Sequence, residues 1–232
     1  MLRKTPFLVR QDKSWLRRRL EQALSMALMR TYKTVRVDPE RFLVELRAVY
    51  GLPVSSFHGM RSIDVSVLDE VAEKIIHGAM KLAAIEGAGL GIGGLVTLVP
   101  DFSILAGITM RTIQKLSLVY GYEYNTEEEI VELWIAAASA AGVDLGRDLL
   151  EKNVLNRFIP RMIRQVAVKA SGEFVEKWAG RLVPIASSLV GGVLNYYFVR
   201  GWSERAQRHF RGKHLLLRER LQATVVEGQS GA

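Results

Sequence analysis

Apolar residues recur at every third or fourth position along most of the chain, and no stretch shows the sustained apolar–polar alternation of a strand. The clearest segment is 38–53, where Asp38 stands before a proline and Gly51 follows the last apolar turn. An aspartate N-cap, a proline at the first helical position and a terminal glycine are typical helix boundaries. The pattern therefore predicts an all-α fold.

The same spacing predicts further helices on both sides of this segment. Thr126 begins the sequence TEEE, in which the threonine hydroxyl and the glutamate three residues later can cap a helix reciprocally. No repeat or Pro/Ser-rich linker divides the chain, which favours a single helical domain at 38–222, after a basic amphipathic arm at 1–37 and before a disordered tail at 223–232. We expect the remaining helices at about residues 14–34, 65–86, 100–120, 161–182 and 200–221.

The stretch from Ala83 to Met110, AAIEGAGLGIGGLVTLVPDFSILAGITM, is nearly all apolar and contains six glycines. Gly89, Gly91 and Gly94 match the G-x-G-x-x-G fingerprint of dinucleotide-binding proteins. That fingerprint works only after a strand, whereas the residues before these glycines have helical spacing. The sequence therefore disfavours nucleotide binding here, and we expect no cofactor.

A helix that crosses a membrane requires ~20 consecutive apolar residues. Only 14 residues separate Glu86 from Asp101, and 18 separate Arg181 from Arg200. These lengths argue against a simple hairpin of two membrane spans. A re-entrant or interfacial pair of helices remains open.

Close packing of two helices is the interpretation that we favour for the glycines. Small residues at four-residue spacing let helix backbones approach each other, in lipid and in a protein core alike. A glycine also costs ~1 kcal/mol in a helix interior relative to alanine, which favours a broken helix or loop around residues 91–100. The close-packing candidates are Gly87, Gly89, Gly91, Gly93, Gly94, Gly191 and Gly192.

Polar residues embedded in the apolar segments are the candidates for a specific site, because ionisable groups in apolar surroundings are costly unless they are paired or used. One interpretation is structural, with Asp101 near a helix N-terminus and Arg111 paired with a carboxylate in the core. The other is a buried polar cluster that binds an ion or a headgroup phosphate. The candidates are Glu86, Asp101, Arg111, Gln114 and Asn195.

The net charge of +8 is unevenly distributed. Residues 1–50 contain 12 Lys+Arg and 5 Asp+Glu, residues 51–150 contain 6 and 13, and residues 151–232 contain 14 and 6. Either the basic ends lie against the acidic middle or in solvent, or they attract an anionic surface such as lipid headgroups. The candidates for a membrane surface are Trp15, Arg17, Arg18, Arg19, Trp202, Arg205 and Arg208.

Several catalytic and metal-binding patterns are absent from the sequence. The chain has no cysteine, and its 4 histidines show no H-E-x-x-H spacing. It also lacks the G-x-S-x-G and G-K-[ST] motifs of hydrolases and nucleotide-binding loops. His209 and His214 lie in a basic helix, where solvation is a simpler interpretation than metal ligation. We therefore expect no catalytic residue and no metal.

Two segments, in this order, are similar to the EcsC protein family: EGAGLGIGGLVTLVPDFSILAGITMRTIQKLSLVYGY at 86–122 and VPIASSLVGGVLNYYFVRGWSERAQRHF at 183–210. The resemblance covers roughly residues 49–210 and leaves the segment before Asp38 largely outside. It implies an all-helical, mainly bacterial protein without an established activity, whose family name comes from an association with an ABC transporter operon. No catalytic residues follow from it. The matching positions are Glu86, Gly87, Pro100, Asp101, Tyr120, Gly121 and Asn195.

These observations favour a non-enzymatic, membrane-associated protein at the cytoplasmic face, peripheral or re-entrant, which uses basic helices at 14–34 and 200–221 against anionic lipid. The expected partners are an anionic membrane surface and, through the resemblance, a membrane transport or secretion system. Two alternatives are a hydrolase-like enzyme and a nucleic-acid-binding protein. The apolar middle of the chain disfavours the second alternative, so nucleic acid is not an expected partner.

Overall fold

The computed structural model describes residues 13–89, 98–143, 155–178 and 188–230. Within these ranges the chain is helical and contains no strand, so the predicted all-α fold is confirmed. The helices are α1 (Lys13–Thr34), α2 (Pro39–Ala48), a 3-10 helix (Phe57–Ser62), α3 (Val65–Gly89), α4 (Leu98–Val119), α5 (Glu127–Ala140), α6 (Leu155–Trp178) and α7 (Ser188–Ser230).

Local capping explains where two of these helices begin. The carboxylate of Asp38 accepts hydrogen bonds from the backbone N–H groups of Glu40 and Arg41, at 3.0 and 3.3 Å. At α5, the Thr126 hydroxyl accepts from the N–H of Glu129 at 3.3 Å, and the Glu129 carboxylate accepts from the N–H of Thr126 at 3.0 Å. Both predicted N-termini are confirmed, because side chains satisfy backbone donors that have no partner inside the helix.

Gly121 ends the approach of α4 to the following turn, as the sequence predicts. Its φ is +82°, a left-handed conformation that strains residues with a Cβ atom. A Cβ at this position would also lie 3.1 Å from the carbonyl oxygen of Phe57. The turn after α4 can therefore pack against the 3-10 helix only when a glycine is present.

Helices α3, α4 and α7 form the centre of the molecule, and α3 runs antiparallel to the other two. Asp69, near the start of α3, contacts Tyr120, just after α4, and Arg211, in the second half of α7. Met80, later in α3, lines a common cleft with Tyr196, earlier in α7. We call the end that holds Asp69, Tyr120 and Arg211 the polar end, and the opposite end, where α3 stops and α4 and α7 begin, the glycine end.

Helix α1 packs on α4 and α6 and belongs to the bundle, whereas the sequence predicted an N-terminal extension. Leu20, Leu24 and Leu28, which the sequence places on one face, are buried. The core surrounds them with fully buried side chains from other helices, including Trp134 and Ile163. The apolar face of α1 therefore makes core contacts, and only its basic face remains exposed.

Helix α7 is longer than expected, with 43 residues in one continuous helix. It joins the predicted basic helix to the apolar segment before it, and it includes residues 223–230, which we assigned to a disordered tail. The predicted break around 91–100 falls mainly on residues outside the described ranges. Residues 98–100 already belong to α4.

Candidate functional site

Three side chains connect the central helices at the polar end. The Tyr120 hydroxyl donates a hydrogen bond to Asp69 Oδ1 at 2.6 Å, and Arg211 Nε donates to Asp69 Oδ2 at 2.8 Å. Gln207 Nε2 donates to the Tyr120 hydroxyl at 3.3 Å. Burial, and then the hydrogen bond to Asp69, raise the pKa of Tyr120, so this phenol stays protonated and can keep donating.

His214 is fully buried beside this network, which corrects the expectation that it is solvated. Its Nδ1 lies 3.1 Å from the carbonyl oxygen of Tyr120, and since a carbonyl only accepts, Nδ1 carries the hydrogen. Burial lowers the pKa of His214, against the effect of that hydrogen bond. Within the described part of the chain, His214 Nε2 and Arg61 Nε have no hydrogen-bond partner. The imidazole is thus a neutral side chain of the core.

A second polar contact joins α5 to α7. Glu132 Oε1 lies 3.3 Å from His209 Nε2 and 2.8 Å from Lys213 Nζ. Hydrogen bonds from His209 and Lys213 lower the pKa of Glu132 to about 2, although partial burial opposes them. Glu132 therefore remains a carboxylate at neutral pH and holds the two helices together.

The predicted buried polar cluster does not assemble among the described residues. Gln114 is buried, but its amide accepts from the N–H of Val37 at 2.8 Å and donates to the carbonyl oxygen of Val35 at 3.0 Å. It therefore satisfies the backbone of the connection between α1 and α2. Arg111 is exposed and not paired in the core as one interpretation required. Glu86 and Asn195 are half-buried, and the side chain of Asp101 lies outside the described residues.

The glycine end exposes large apolar side chains from all three central helices. Leu82 and Ile85 on α3 are 45% and 69% exposed, Ile104 on α4 is 41% exposed, and Tyr197 on α7 is 53% exposed. These residues lie 13 to 16 positions along their helices from Asp69, Tyr120 and Arg211, respectively. At ~1.5 Å per residue, all four are roughly 20–24 Å from the polar end, at a similar level of the bundle.

Exposed cations lie slightly nearer the polar end on the same helices. Lys81, Arg111 and Arg200 are 9 to 12 positions from the polar-end residues, so they follow the apolar side chains by about one turn. Arg200 also pairs with Glu204, at 2.7 Å. The glycine end therefore combines an apolar tip with a band of positive charge.

The residues predicted to face a membrane separate into two groups. Trp202 is 4% exposed and stacks on Phe198 with ring centroids 5.0 Å apart, so it is a core residue and its assignment to a surface was wrong. Arg205 is half-buried, donates to the carbonyl oxygen of Gly201 at 2.9 Å and lies 3.9 Å from Glu173. The side chain of Trp15 lies outside the described residues. The exposed candidates are Arg17, Arg18, Arg19 and Arg208.

The glycine candidates are only partly described. Gly87 on α3 and Gly192 on α7 are buried, and both lie at the glycine end. Gly91, Gly93 and Gly94 fall in the segment 90–97, outside the described ranges. Close backbone contact between the two glycine-rich segments therefore stays a prediction.

Two classes of feature are not found in the described ranges. No helix there combines the length and apolar character that a crossing of the bilayer requires. Nor do three or more His, Asp or Glu side chains come together there in a group that could hold a metal ion.

Comparison with known proteins places this architecture in a family. The model of the EcsC protein family matches residues 12–215, a range that includes α1, which we expected to lie largely outside the resemblance. Protein EcsC of Bacillus subtilis (strain 168) is 29% identical over 154 residues, which are 64% of this chain and 64% of that protein. Uncharacterized protein YdbA of the same organism is 26% identical over 184 residues, which are 74% of this chain and 66% of that protein.

The chain thus spans just under two thirds of the length of each of these relatives. No solved structure matches it. The family match covers most of the chain, from the start of α1 to the buried histidine of α7. The chain belongs to the EcsC protein family.

Proposed function

We propose that the protein is a non-enzymatic, membrane-associated protein that attaches reversibly to the cytoplasmic face of a membrane through its glycine end. The observation that carries this proposal is the exposure of Leu82, Ile85, Ile104 and Tyr197 at one level of three adjacent helices. Large apolar side chains that are exposed together mark interaction surfaces more often than side chains scattered singly do. The occupant that we infer is an anionic lipid bilayer.

The charge next to these side chains favours lipid over a purely apolar partner. Lys81, Arg111 and Arg200 lie about one turn behind the apolar tip, at the depth where phosphate headgroups would meet them. Each cation near an anionic leaflet contributes ~1 kcal/mol. Full transfer of a Leu or Ile side chain from water contributes about 1.5–3 kcal/mol, so four partly exposed side chains contribute several kcal/mol at most. These terms support reversible attachment.

The sequence that connects α3 to α4 supports the same end of the molecule. Residues 90–97, LGIGGLVT, contain no charged side chain and join the two helices whose ends carry the exposed apolar residues. Gly87 and Gly192 are buried at this end, which supports a close approach of α3 and α7 there. In this proposal the small residues let the helices converge, and the large apolar residues around them face lipid.

A vesicle co-sedimentation experiment tests this function. We expect the protein to bind vesicles of phosphatidylcholine with phosphatidylglycerol more strongly than phosphatidylcholine alone, and less strongly at high salt. The double variant Ile85→Ser and Ile104→Ser should lose at least about tenfold in binding, because it removes apolar contacts worth more than 1.4 kcal/mol. The matched control is Val44→Ser and Val49→Ser, which changes two exposed apolar residues near α2.

Equal binding by both double variants would remove the glycine end from the proposal. Failure of the unmodified protein to bind either vesicle at low salt would end the proposal of lipid attachment altogether.

A role as an accessory to a transport or secretion system is the second part of the proposal, and it rests on the family resemblance. Its test is co-purification of the full chain, crosslinked in intact cells, with an integral membrane transporter. The Ile85→Ser and Ile104→Ser variant serves as the comparison. Recovery of no transport protein from the crosslinked cells would contradict this part.

A further inference from the structure

A groove of about 590 Å³ lies between α1, the residues after α5, and α6. Arg17 of α1 and Arg164 and Lys169 of α6 line it from two sides. In the described part of the chain, these three side chains form no hydrogen bond or ion pair. The groove thus gathers cationic groups whose charge the fold itself does not neutralise.

The position of Arg17 depends on a glycine in the wall of the groove. A Cβ built on Gly172 would lie 3.5 Å from Arg17 Nη2, 3.7 Å from its Cζ and 3.8 Å from its Nε. The guanidinium therefore lies against the bare backbone of α6. A large side chain at position 172 would push the guanidinium away from the groove.

The carboxylates in the same wall do not cancel the positive charge. Glu173 Oε2 lies 3.9 Å from Arg205 Nη2, so one negative group already has a cationic neighbour. Glu176 is exposed. Counting Arg205, four cations face two carboxylates around the groove.

We propose that this groove binds a phosphate group, carried either by a lipid headgroup or by a water-soluble phosphate ester. Guanidinium groups recognise phosphate oxygens through paired N–H donors, and two of the three unpaired cations are arginines. The volume accommodates a phosphate together with a small organic group. The groove shares no residue with the glycine end, so this proposal does not rest on attachment to the bilayer.

Calorimetric titration of the full chain with inorganic phosphate and with glycerol 3-phosphate tests the site without any membrane. We expect saturable binding of at least one of them, and a loss of at least about tenfold in affinity for Arg17→Gln with Arg164→Gln, because each replaces a charge-assisted contact. Arg30→Gln with Arg47→Gln removes the same charge from exposed positions elsewhere and should retain binding. Gly172→Leu keeps every charge but displaces Arg17, and it should weaken binding as well.

Vesicles separate the two sources of phosphate. A preference for phosphatidic acid, whose phosphate is a monoester, over phosphatidylglycerol at matched charge assigns the groove to a lipid headgroup if Arg17→Gln with Arg164→Gln abolishes the preference. Binding of glycerol 3-phosphate without any lipid preference assigns it to a water-soluble ester. Absence of both, or an equal loss in the Arg30→Gln with Arg47→Gln control, overturns the proposal even if the unmodified protein still binds vesicles through its glycine end.

Discussion

The polar end and the glycine end are built from the same three helices, but they treat their side chains in opposite ways. At the polar end, Tyr120, Asp69 and Arg211 hydrogen-bond to one another across α4, α3 and α7. At the glycine end, Ile85 and Ile104 expose a large part of their apolar surface. One end uses directional contacts that fix the helices, and the other leaves apolar surface available to a partner.

This difference shows that stability and interaction are separated along the helix axes. The hydrogen bonds at the polar end are shielded by burial, where an unpaired polar group is costly, so they hold the helices in one arrangement. Exposed apolar groups at the glycine end contribute little to folding, because much of their surface remains in water. Substitutions at the two ends should therefore differ in their effect on the free energy of unfolding.

The largest difference should come from the same substitution made at the two ends of α3. Leu68 is fully buried beside the polar end, and Leu82 is 45% exposed near the glycine end. We expect Leu68→Ala to lower the free energy of unfolding by about 2–5 kcal/mol, because it leaves a cavity in the core. Leu82→Ala should change it by no more than about 0.5 kcal/mol. Urea unfolding followed by circular dichroism measures both, and equal effects would contradict the separation.

Gly121 gives the next largest effect. Gly121→Ala should cost roughly 1–3 kcal/mol, because its φ of +82° is strained for alanine and its Cβ would meet the Phe57 carbonyl oxygen at 3.1 Å. The control is Gly78→Ala in α3, where no atom lies within 4 Å of the added Cβ. Alanine stabilises a helix interior by about 1 kcal/mol relative to glycine. Thermal unfolding should therefore show opposite shifts, and a neutral Gly121→Ala would contradict the proposed turn geometry.

A smaller effect should follow from removal of single hydroxyl groups. Tyr120→Phe leaves Asp69 with one fewer donor and Gln207 without its acceptor, so we expect a loss of about 1–2 kcal/mol in the free energy of unfolding. Tyr197→Phe at the glycine end should be nearly neutral, since that side chain is 53% exposed. Chemical denaturation of both variants sharpens the comparison. A cost for Tyr197→Phe as large as that for Tyr120→Phe would weaken it.

The smallest effect should be a pH dependence from His214. Its folded pKa lies below the unfolded value of about 6.5. The unfolded chain therefore takes up the proton first, and the free energy of unfolding falls as the pH drops from about 6.5 toward the folded pKa. Arg61 and Arg218 nearby oppose the imidazolium, and Asp69 favours it. Unfolding measured between pH 7.5 and about pH 5 should show this decrease.

His214→Gln should flatten the decrease, whereas His58→Gln, at an exposed position, should retain it. A second decrease, from Glu132, belongs to a more acidic range. Because the pKa of Glu132 is lowered to about 2, its stabilising contribution is lost only as the pH falls from the usual glutamate range toward that value. A decrease near neutral pH that persists in His214→Gln would assign it to another group.

Local signals in the sequence were sufficient for the secondary structure. Asp38, Thr126 with Glu129, and Gly121 each act on backbone groups within a few residues, so their effects can be read without knowledge of the fold. The all-α class followed from the helical spacing of apolar residues. The pairing of Gln114 with the connection between α1 and α2 could not be inferred, because the partners are separated by 77 and 79 residues.

The interior of α7 shows a signal that the sequence contained but that charge obscured. Val199, Trp202, Ala206, Phe210 and His214 are spaced by three or four residues and are all buried. The many arginines and lysines between them made this helix resemble a uniformly basic one. The stripe shows that His214 continues a core face, and the same spacing explains why Trp202 is unavailable to a membrane.

Helix α7 reaches from the glycine end past the polar end without a proline or other interruption in its 43 residues. At ~1.5 Å per residue it forms a strut of roughly 64 Å. A load applied to its first turns by a lipid surface would be carried along the axis to Asp69 and Ile63, which its later residues grip. The molecule thus has a mechanical connection between its two ends that bypasses every loop.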